Sequence, residues 1–418
     1  MSLQARADRF AAFRYVSYAR FFCARFLVSF ATQIVSVSVG WQMYDETRNP
    51  IYLGLIGLMQ FLPSLVLVLV TGAVADRYNR RAITAFCIVL ATLCSAALLL
   101  ITVTGTFSPL PVFIILTVVG VERAFMAPAV ASLAPNLVPA EVLSNAVAWN
   151  SSSWQTAAIL GPVAGGLLYG VGASVAYAVA VVFFAVGAVL TLMIAKPSQR
   201  SAPGATTLRS ILAGYRFIRS EKVVLGAISL DLFAVLLGGA VALMPIYARD
   251  ILTLGPWGLG LLRGAPGFGA VAMALVLATY PVRHRAGVYM FIGVALFGIG
   301  TLIFGVSTTL WVSIAALVLM GASDMVSVYV RETLIALWTP DDVRGRVNAV
   351  NMVFVGASNE LGEFRAGIMA SAFGAVPAVV IGGIGTLAVA MIWSAGFPQL
   401  RKIDTLDAPK REGEPQPA

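Results

Sequence analysis

The chain has 418 residues, of which 59% are hydrophobic and only 11% charged, against about 25% charged in a soluble domain. No water-soluble fold hides that much apolar side chain, and a dozen crossings of about 20 residues each would consume nearly the whole length. A net charge of +9 would suggest nucleic acid as a partner for a soluble chain, but here the basic residues sit between apolar runs, where they orient a membrane protein.

The amino-terminal stretch, with Arg6, Arg9 and Arg14, is too polar for a cleavable signal, so the first apolar run is expected to remain as a helix. Six runs are expected to cross the membrane at residues 21–44, 51–75, 82–104, 109–133, 145–170 and 173–195. Six more follow at 223–248, 257–280, 287–305, 309–331, 347–370 and 373–396. The stretch at 196–221 starts as a Pro/Ser/Gly-rich linker and turns amphipathic, with Leu208, Ile211, Leu212, Tyr215 and Ile218 at helical spacing and Arg209, Arg216 and Arg219 between them, as a helix at the membrane surface requires. The expected organisation is an all-α membrane protein with a six-helix bundle over 1–195, a cytoplasmic linker over 196–221, a second bundle over 222–398 and a disordered cytoplasmic tail over 399–418. Cys23, Cys87 and Cys94 lie inside apolar stretches without metal-ligand spacing.

Short loops rich in Lys and Arg remain cytoplasmic. Arg77, Arg80 and Arg81, the linker, Arg283 and Arg285, Arg344 and Arg346, and the tail all fall on one side of the predicted helices. The opposite loops hold only Arg48 and Arg249, beside Asp45, Glu46 and Asp250. Both termini of an inner-membrane protein are therefore expected in the cytoplasm.

The halves repeat at an offset of roughly 200 residues, a period that signals duplicated architecture. Gln60 to Pro63 aligns with Arg263 to Pro266, Tyr44 with Tyr247, Pro139 to Asn150 with Pro340 to Asn351, Gly120 with Gly321, and Gly161 with Gly362. Two parallel halves imply a substrate path along their interface near mid-membrane.

The loop after the second run contains Gly72, Asp76, Arg77, Arg80 and Arg81. It resembles the G-x-x-x-D-R-x-G-R-R signature of the major facilitator superfamily, with Asn79 at the second glycine; Asn tolerates left-handed backbone, so the turn is expected to survive. The resemblance implies that these residues form a conformational latch. The equivalent loop of the second half, with Arg283, His284 and Arg285, keeps the bases and lacks the acid, and lone His284 is expected to be solvated. Gly161, Pro162, Gly165 and Gly166 resemble the core of the family's antiporter signature, which implies export. Proline bends a helix, and small residues let helices approach closely. Ala213 to Arg219 and Gly345 to Asn348 are similar to the bacterial enterobactin-exporter group, and the resemblance implies siderophore-like or drug-like cargo.

Charges within the bilayer cost about 2.5 to 3.5 kcal/mol each on insertion scales and are normally paired or functional. Asp231, Asp324, Glu360, Glu363 and Glu122 are the proton-coupling candidates. Glu360 and Glu363 share a helix face. Arg25, Arg123, Arg263 and Arg365 are candidate counter-ions or anion-binding groups, and the repeat places Arg123 at the position of Asp324. Gln33, Asn150, Gln155, Asn351 and Asn359 are candidate cargo contacts, and static helix-to-helix hydrogen bonds explain such residues equally well. Trp41, Trp149 and Trp154 suit either an aromatic cargo or interfacial anchoring, the commoner use.

No phosphate-binding loop, H-E-x-x-H or Cys/His cluster occurs. The leading expectation is a proton-coupled exporter of small organic molecules whose partners are cargo, protons and membrane lipids, with no nucleic acid, cofactor or metal, acting as a monomer. An importer of a small metabolite, a membrane sensor and a lipid-acting membrane enzyme are the rival readings.

Overall fold

The computed structural model describes residues 8–195 and 208–407. Arg6, the linker over 196–207 and the tail beyond 407 lie outside the described residues. Every regular element among the described residues is helical. Contacts divide the chain into two compact units, one of Met1–Thr206 with Ala242–Gly264, the other of Thr207–Val241 with Ala265–Ala418.

The first unit contains α1 (Val16–Thr47), α2 (Pro50–Arg77), α3 (Arg80–Val103), α4 (Pro109–Leu133), α5 (Leu143–Val171) and α6 (Ala173–Leu192). Its turns use side chains that stop and restart helices. α1 ends on Arg48 in the left-handed region, φ 53°, and Asn49 then caps α2 by accepting from the Ile51 N–H at 3.1 Å, with Pro50 in the first turn where its missing N–H costs nothing. At the next turn the expected left-handed Asn79 is corrected. Its φ is −64°, and its Oδ1 accepts from the Arg81 and Ala82 N–H groups at 3.0 and 3.4 Å. Asn stands at that position because it is an N-cap, the stronger requirement at a helix start.

The second unit begins with α7 (Leu208–Ser220), followed by α8 (Lys222–Gly238), α9 (Gly255–Thr279), α10 (Ala286–Val306), α11 (Leu310–Trp338), α12 (Asp341–Phe373) and α13 (Ala375–Gly396). α7 buries Ile218 completely with Val224, Ile228, Val347 and Val350, and leaves Leu212 and Tyr215 exposed. The seventh expected crossing is broken. α8 stops at Gly238, and the chain resumes in short turns over Val241–Leu243 and Met244–Ile246 before a single π-helical stretch at Tyr247–Ile251. The residues from Ala242 through the first turns of α9 cluster with the first unit.

Among the described residues, ten helical stretches are long and apolar enough to cross a membrane. The other two long helices, α5 and α12, fall short because of the polar residues carried mid-length, such as Asn150, Gln155, Glu360, Glu363 and Arg365. With them the described residues make the twelve passes of the expected fold class.

The internal repeat has a packing meaning. A Cβ on Gly120 would fall on the backbone carbonyl of Gln60, and one on Gly321 on that of Pro266, so both glycines let one helix touch another. A Cβ on Gly161 would lie 2.6 Å from Gln33 Cβ, and one on Gly362 would lie 2.9 Å from the Val235 carbonyl oxygen. Side chains larger than hydrogen would force these pairs apart.

Candidate functional site

Within the second unit, α8 and α11 bring charged groups together where apolar walls exclude water. Arg331 pairs through Nη1 with Asp231 Oδ1, and their side chains are only 4% and 8% exposed. Arg331 Nε also faces Glu332 Oε1 at 3.4 Å, and Glu332 is half exposed. Asn351 on α12 donates its Nδ2–H to the same Glu332 oxygen at 3.1 Å.

Asp324 and Ser327 occupy the same face of α11 as Arg331, since spacings of three and four residues return a helix to one side. With Asp231, Ala234, Val235, Val294 and Phe297 they line a cavity of about 10 Å³, about the space that one water requires. Among the described residues the Ser327 hydroxyl has no hydrogen-bond partner. The arrangement runs from the partly buried Asp324, through a buried ion pair, to the half-exposed Glu332.

Arg331 and Glu332 were not among the sequence candidates, because they fall at the end of the tenth apolar run and read as its boundary. The usable signal was Asp324, Ser327 and Arg331 in helical register.

The remaining candidates are dispersed. Arg365 donates to the Leu237 carbonyl, beside the break that ends α8, and to Met369 Sδ at 3.1 Å. Arg263 donates to Ser36 Oγ at 2.8 Å. Arg123 is exposed and donates to Gln60 Oε1 at 3.0 Å. Arg25 and Gln33 are half-buried on α1. Glu122 is buried on α4. Glu360 and Glu363 are partly buried on α12. Gln155 and Asn359 are exposed, Asn150 is half-buried, and Asn359 donates to its own helix at Val355. Trp149 donates to the Arg9 carbonyl at 2.9 Å and stacks on Phe10, and so holds the amino-terminal segment.

The loop that resembles the family signature places its arginines on helix ends. Arg80 Nη1 donates to the Ser132 carbonyl at 3.2 Å in the last turn of α4, and Arg81 Nη1 to the Ile194 carbonyl at 2.5 Å just past α6. Cations belong at helix carboxyl ends, where carbonyls lack partners. Arg77 is exposed, and the Asp76 side chain lies outside the described residues. In the antiporter-like motif, Gly161 and Gly165 pack on α1 at Gln33 and Ile34, while Gly166 meets Pro256 and Gly260; Pro162 is buried.

A second charged group lies in the first unit at the α1–α2 turn. The Tyr44 hydroxyl donates to Asp250, Arg48 Nη1 lies 3.2 Å from the same carboxylate, and Arg249 pairs with Asp45. Arg48 and Arg249, read from sequence only as charges beside acids, are thus organised into one cluster. His284 lies 3.1 Å from Asp404, and the Asp404 carboxyl is held below the usual carboxylate range by the His284 hydrogen bond and the Arg285 N–H.

The sequence pattern of the transmembrane secretion effector family matches residues 7–418. The chain is 26% identical over 394 residues to the enterobactin exporter EntS of Escherichia coli O1:K1 / APEC, covering 90% of this chain and 87% of the relative. The likeness to the EntS of Shigella boydii serotype 18 is also 26%, over 402 residues, covering 90% of this chain and 87% of that relative. Among solved structures, a bacterial homologue of the human lysosomal transporter Spinster, inward-facing and unoccupied, superposes with a TM-score of 0.72 at 14% identity, covering 94% of this chain and 96% of the other. A bacterial homologue of the iron transporter ferroportin superposes with a TM-score of 0.69 at 15% identity, covering 93% and 99%.

Proposed function

The chain belongs to the transmembrane secretion effector family, a branch of the major facilitator transporters, and we propose that it exports a small organic molecule across the inner membrane in exchange for protons. Export is supported by the likeness to the enterobactin exporters and by the resemblance of the Gly161 to Gly166 stretch to the family's antiporter signature. A catecholate siderophore is the first cargo to test. The distribution of arginines supports placing both termini on the cytoplasmic face.

The observation that carries proton coupling is the Asp231–Arg331 pair beside Asp324. One guanidinium offsets one buried carboxylate, and a second carboxylate in the same apolar surroundings remains uncompensated. A proton on Asp324 supplies the missing positive charge. Its release leaves Arg331 attracted by two acids, so the pair that ties α8 to α11 is weighted differently in the two protonation states. Glu332, half exposed and held by the buried Asn351, extends the network toward the surface and gives the proton a way in and out.

Each unit also exposes polar side chains on its long helices: Arg123 and Gln155 in the first, Asn359 in the second. A lipid-facing surface does not carry such groups without cost, so cargo contact is assigned to these faces. Asp324→Asn tests the coupling in inside-out vesicles. Catecholate accumulation driven by an acidic interior should be lost, while counterflow, which moves no net proton, persists. Undiminished gradient-driven accumulation in Asp324→Asn overturns the coupling role, and wild-type vesicles that move no catecholate overturn the cargo class.

A further inference from the structure

Outside the acid–arginine cluster, the first unit contains a groove of about 490 Å³ among α2, α3 and α4, within the size range of about 300 to 1,000 Å³ found for small-molecule sites. Tyr78, Ala82, Phe86, Cys87 and Phe125 contribute most of the wall, and among the described residues Glu122 is the one acidic residue in it. The lining of α3 runs from Ala82 to Leu90, an axial length of about 12 Å at ~1.5 Å per residue. Glu122 lies near the middle of α4, Pro109–Leu133, so the groove leads from the α2–α3 turn toward the middle of the membrane span.

Its mouth opens on an exposed apolar face of α3, the kind of surface that lipid covers. Phe86, Val89, Leu93, Leu100 and Val103 form one exposed apolar stripe on α3, and Ala82 and Phe86, at the mouth, continue it. Glu122 is 6% exposed. Among the described residues it has no hydrogen-bond or ion-pair partner. Arg25 and Arg123 act on it only through space, and the Arg123 guanidinium is engaged with Gln60.

A carboxylate at the end of an apolar groove, offset only by the fields of Arg25 and Arg123 and with no group directly against it among the described residues, is a costly arrangement that a contacting cation relieves. An acyl chain filling the groove leaves that cost in place, and a metal ion finds no group of three or more His, Cys, Asp or Glu ligands there among the described residues. An amphiphilic monocation satisfies both parts, with its apolar body along α3 and its ammonium group against Glu122. We propose that this groove is a binding site for amphiphilic amines that enter sideways from the lipid. The site is separate from the Asp231–Arg331 cluster and does not depend on the direction or coupling of transport.

Binding to the full chain in phosphatidylcholine nanodiscs, without any gradient, tests the site independently of export. The probe is radiolabelled decyltrimethylammonium, corrected for binding to empty discs, with decanol as the uncharged comparison. Saturable binding of the cation is expected, weakened at least about tenfold by Glu122→Gln and by Ala82→Trp, which fills the mouth. Glu122→Asp, which keeps the charge, should retain most of the affinity, and decanol should compete equally in wild type and Glu122→Gln. Unchanged elution and thermal midpoint show that each variant is folded. Equal cation binding by wild type and Glu122→Gln overturns the proposal in favour of an apolar chain in the groove. Full binding by Ala82→Trp overturns the lateral route, and absence of saturable binding to wild type overturns the site itself.

Discussion

The Arg365 guanidinium on α12 donates to the backbone carbonyl of Leu237, next to the Gly238 at which α8 breaks. The last carbonyls of a helix have no partner within it, and a cation at that end is favourable. Arg365 was a candidate counter-ion; its position supports a role in holding the broken helix.

Arg365→Met should therefore destabilise the protein by roughly 1 to 3 kcal/mol, the cost of leaving a partly buried acceptor unmet. Arg365→Lys should recover part of the loss. The thermal midpoints of the purified variants in detergent check this, and a midpoint for Arg365→Met equal to wild type would contradict it.

The Asp231–Arg331 pair makes a sharper prediction, because both partners are almost fully buried. Asp231→Asn or Arg331→Met alone leaves one charge uncompensated and should cost about 3 to 5 kcal/mol. The double variant removes both charges and should be more stable than either single one. A denaturation series across the four proteins measures the coupling, and additive losses would show that the two residues do not depend on each other.

Two glycines separate steric need from helix propensity. Gly321 in α11 sits against the Pro266 carbonyl, whereas a Cβ on Gly345 in α12 would meet nothing within 4 Å. Gly321→Ala should lower stability by about 1 to 3 kcal/mol through overpacking. Gly345→Ala should raise it by roughly 0.5 to 1 kcal/mol, since alanine loses less backbone freedom in a helix. The sign of the difference in midpoint decides the matter.

At the start of α10, Asp404 accepts the Arg285 N–H at 2.9 Å. Its carboxyl is depressed chiefly by the His284 hydrogen bond and then by that N–H. A depressed folded value means that the ionised form stabilises the contact. The contribution is present above the ordinary carboxylate value of 3.8 and is lost as pH falls through the lower folded value. Amide exchange at Arg285, corrected for intrinsic rate, should lose protection in that acidic window. Asp404→Asn should remove the pH dependence, and an unaltered profile in that variant would assign the protection to the neighbouring backbone bonds from Ala286 and Gly287.

Composition and hydropathy were enough to place the chain in a membrane, because apolar runs of helix length have no other stable environment. The repeat was legible for a related reason: Gly120 and Gly321, or Gly161 and Gly362, remain glycine where helices touch, so a packing constraint is written as residue identity. Asn79 shows the limit of that reading. The same residue serves a left-handed turn or an N-cap, and only the path of the chain distinguishes them.

The site was half legible. Asp231 and Asp324 stood out as acids among apolar neighbours, an anomaly visible in one dimension. Arg331 did not, because it lies at the end of a run where a charge is ordinary, and its significance comes from α8 packing beside α11. The fold class, the repeat and the unusual charges follow from solvent, length and local pattern, which sequence alone determines. Which arginine meets which acid, where the seventh helix breaks, and which face of α3 opens beside Glu122 depend on contacts between residues far apart in the chain. Those pairings were decided only by the tertiary structure, because a charge acts over a few ångströms in space whatever its distance in sequence.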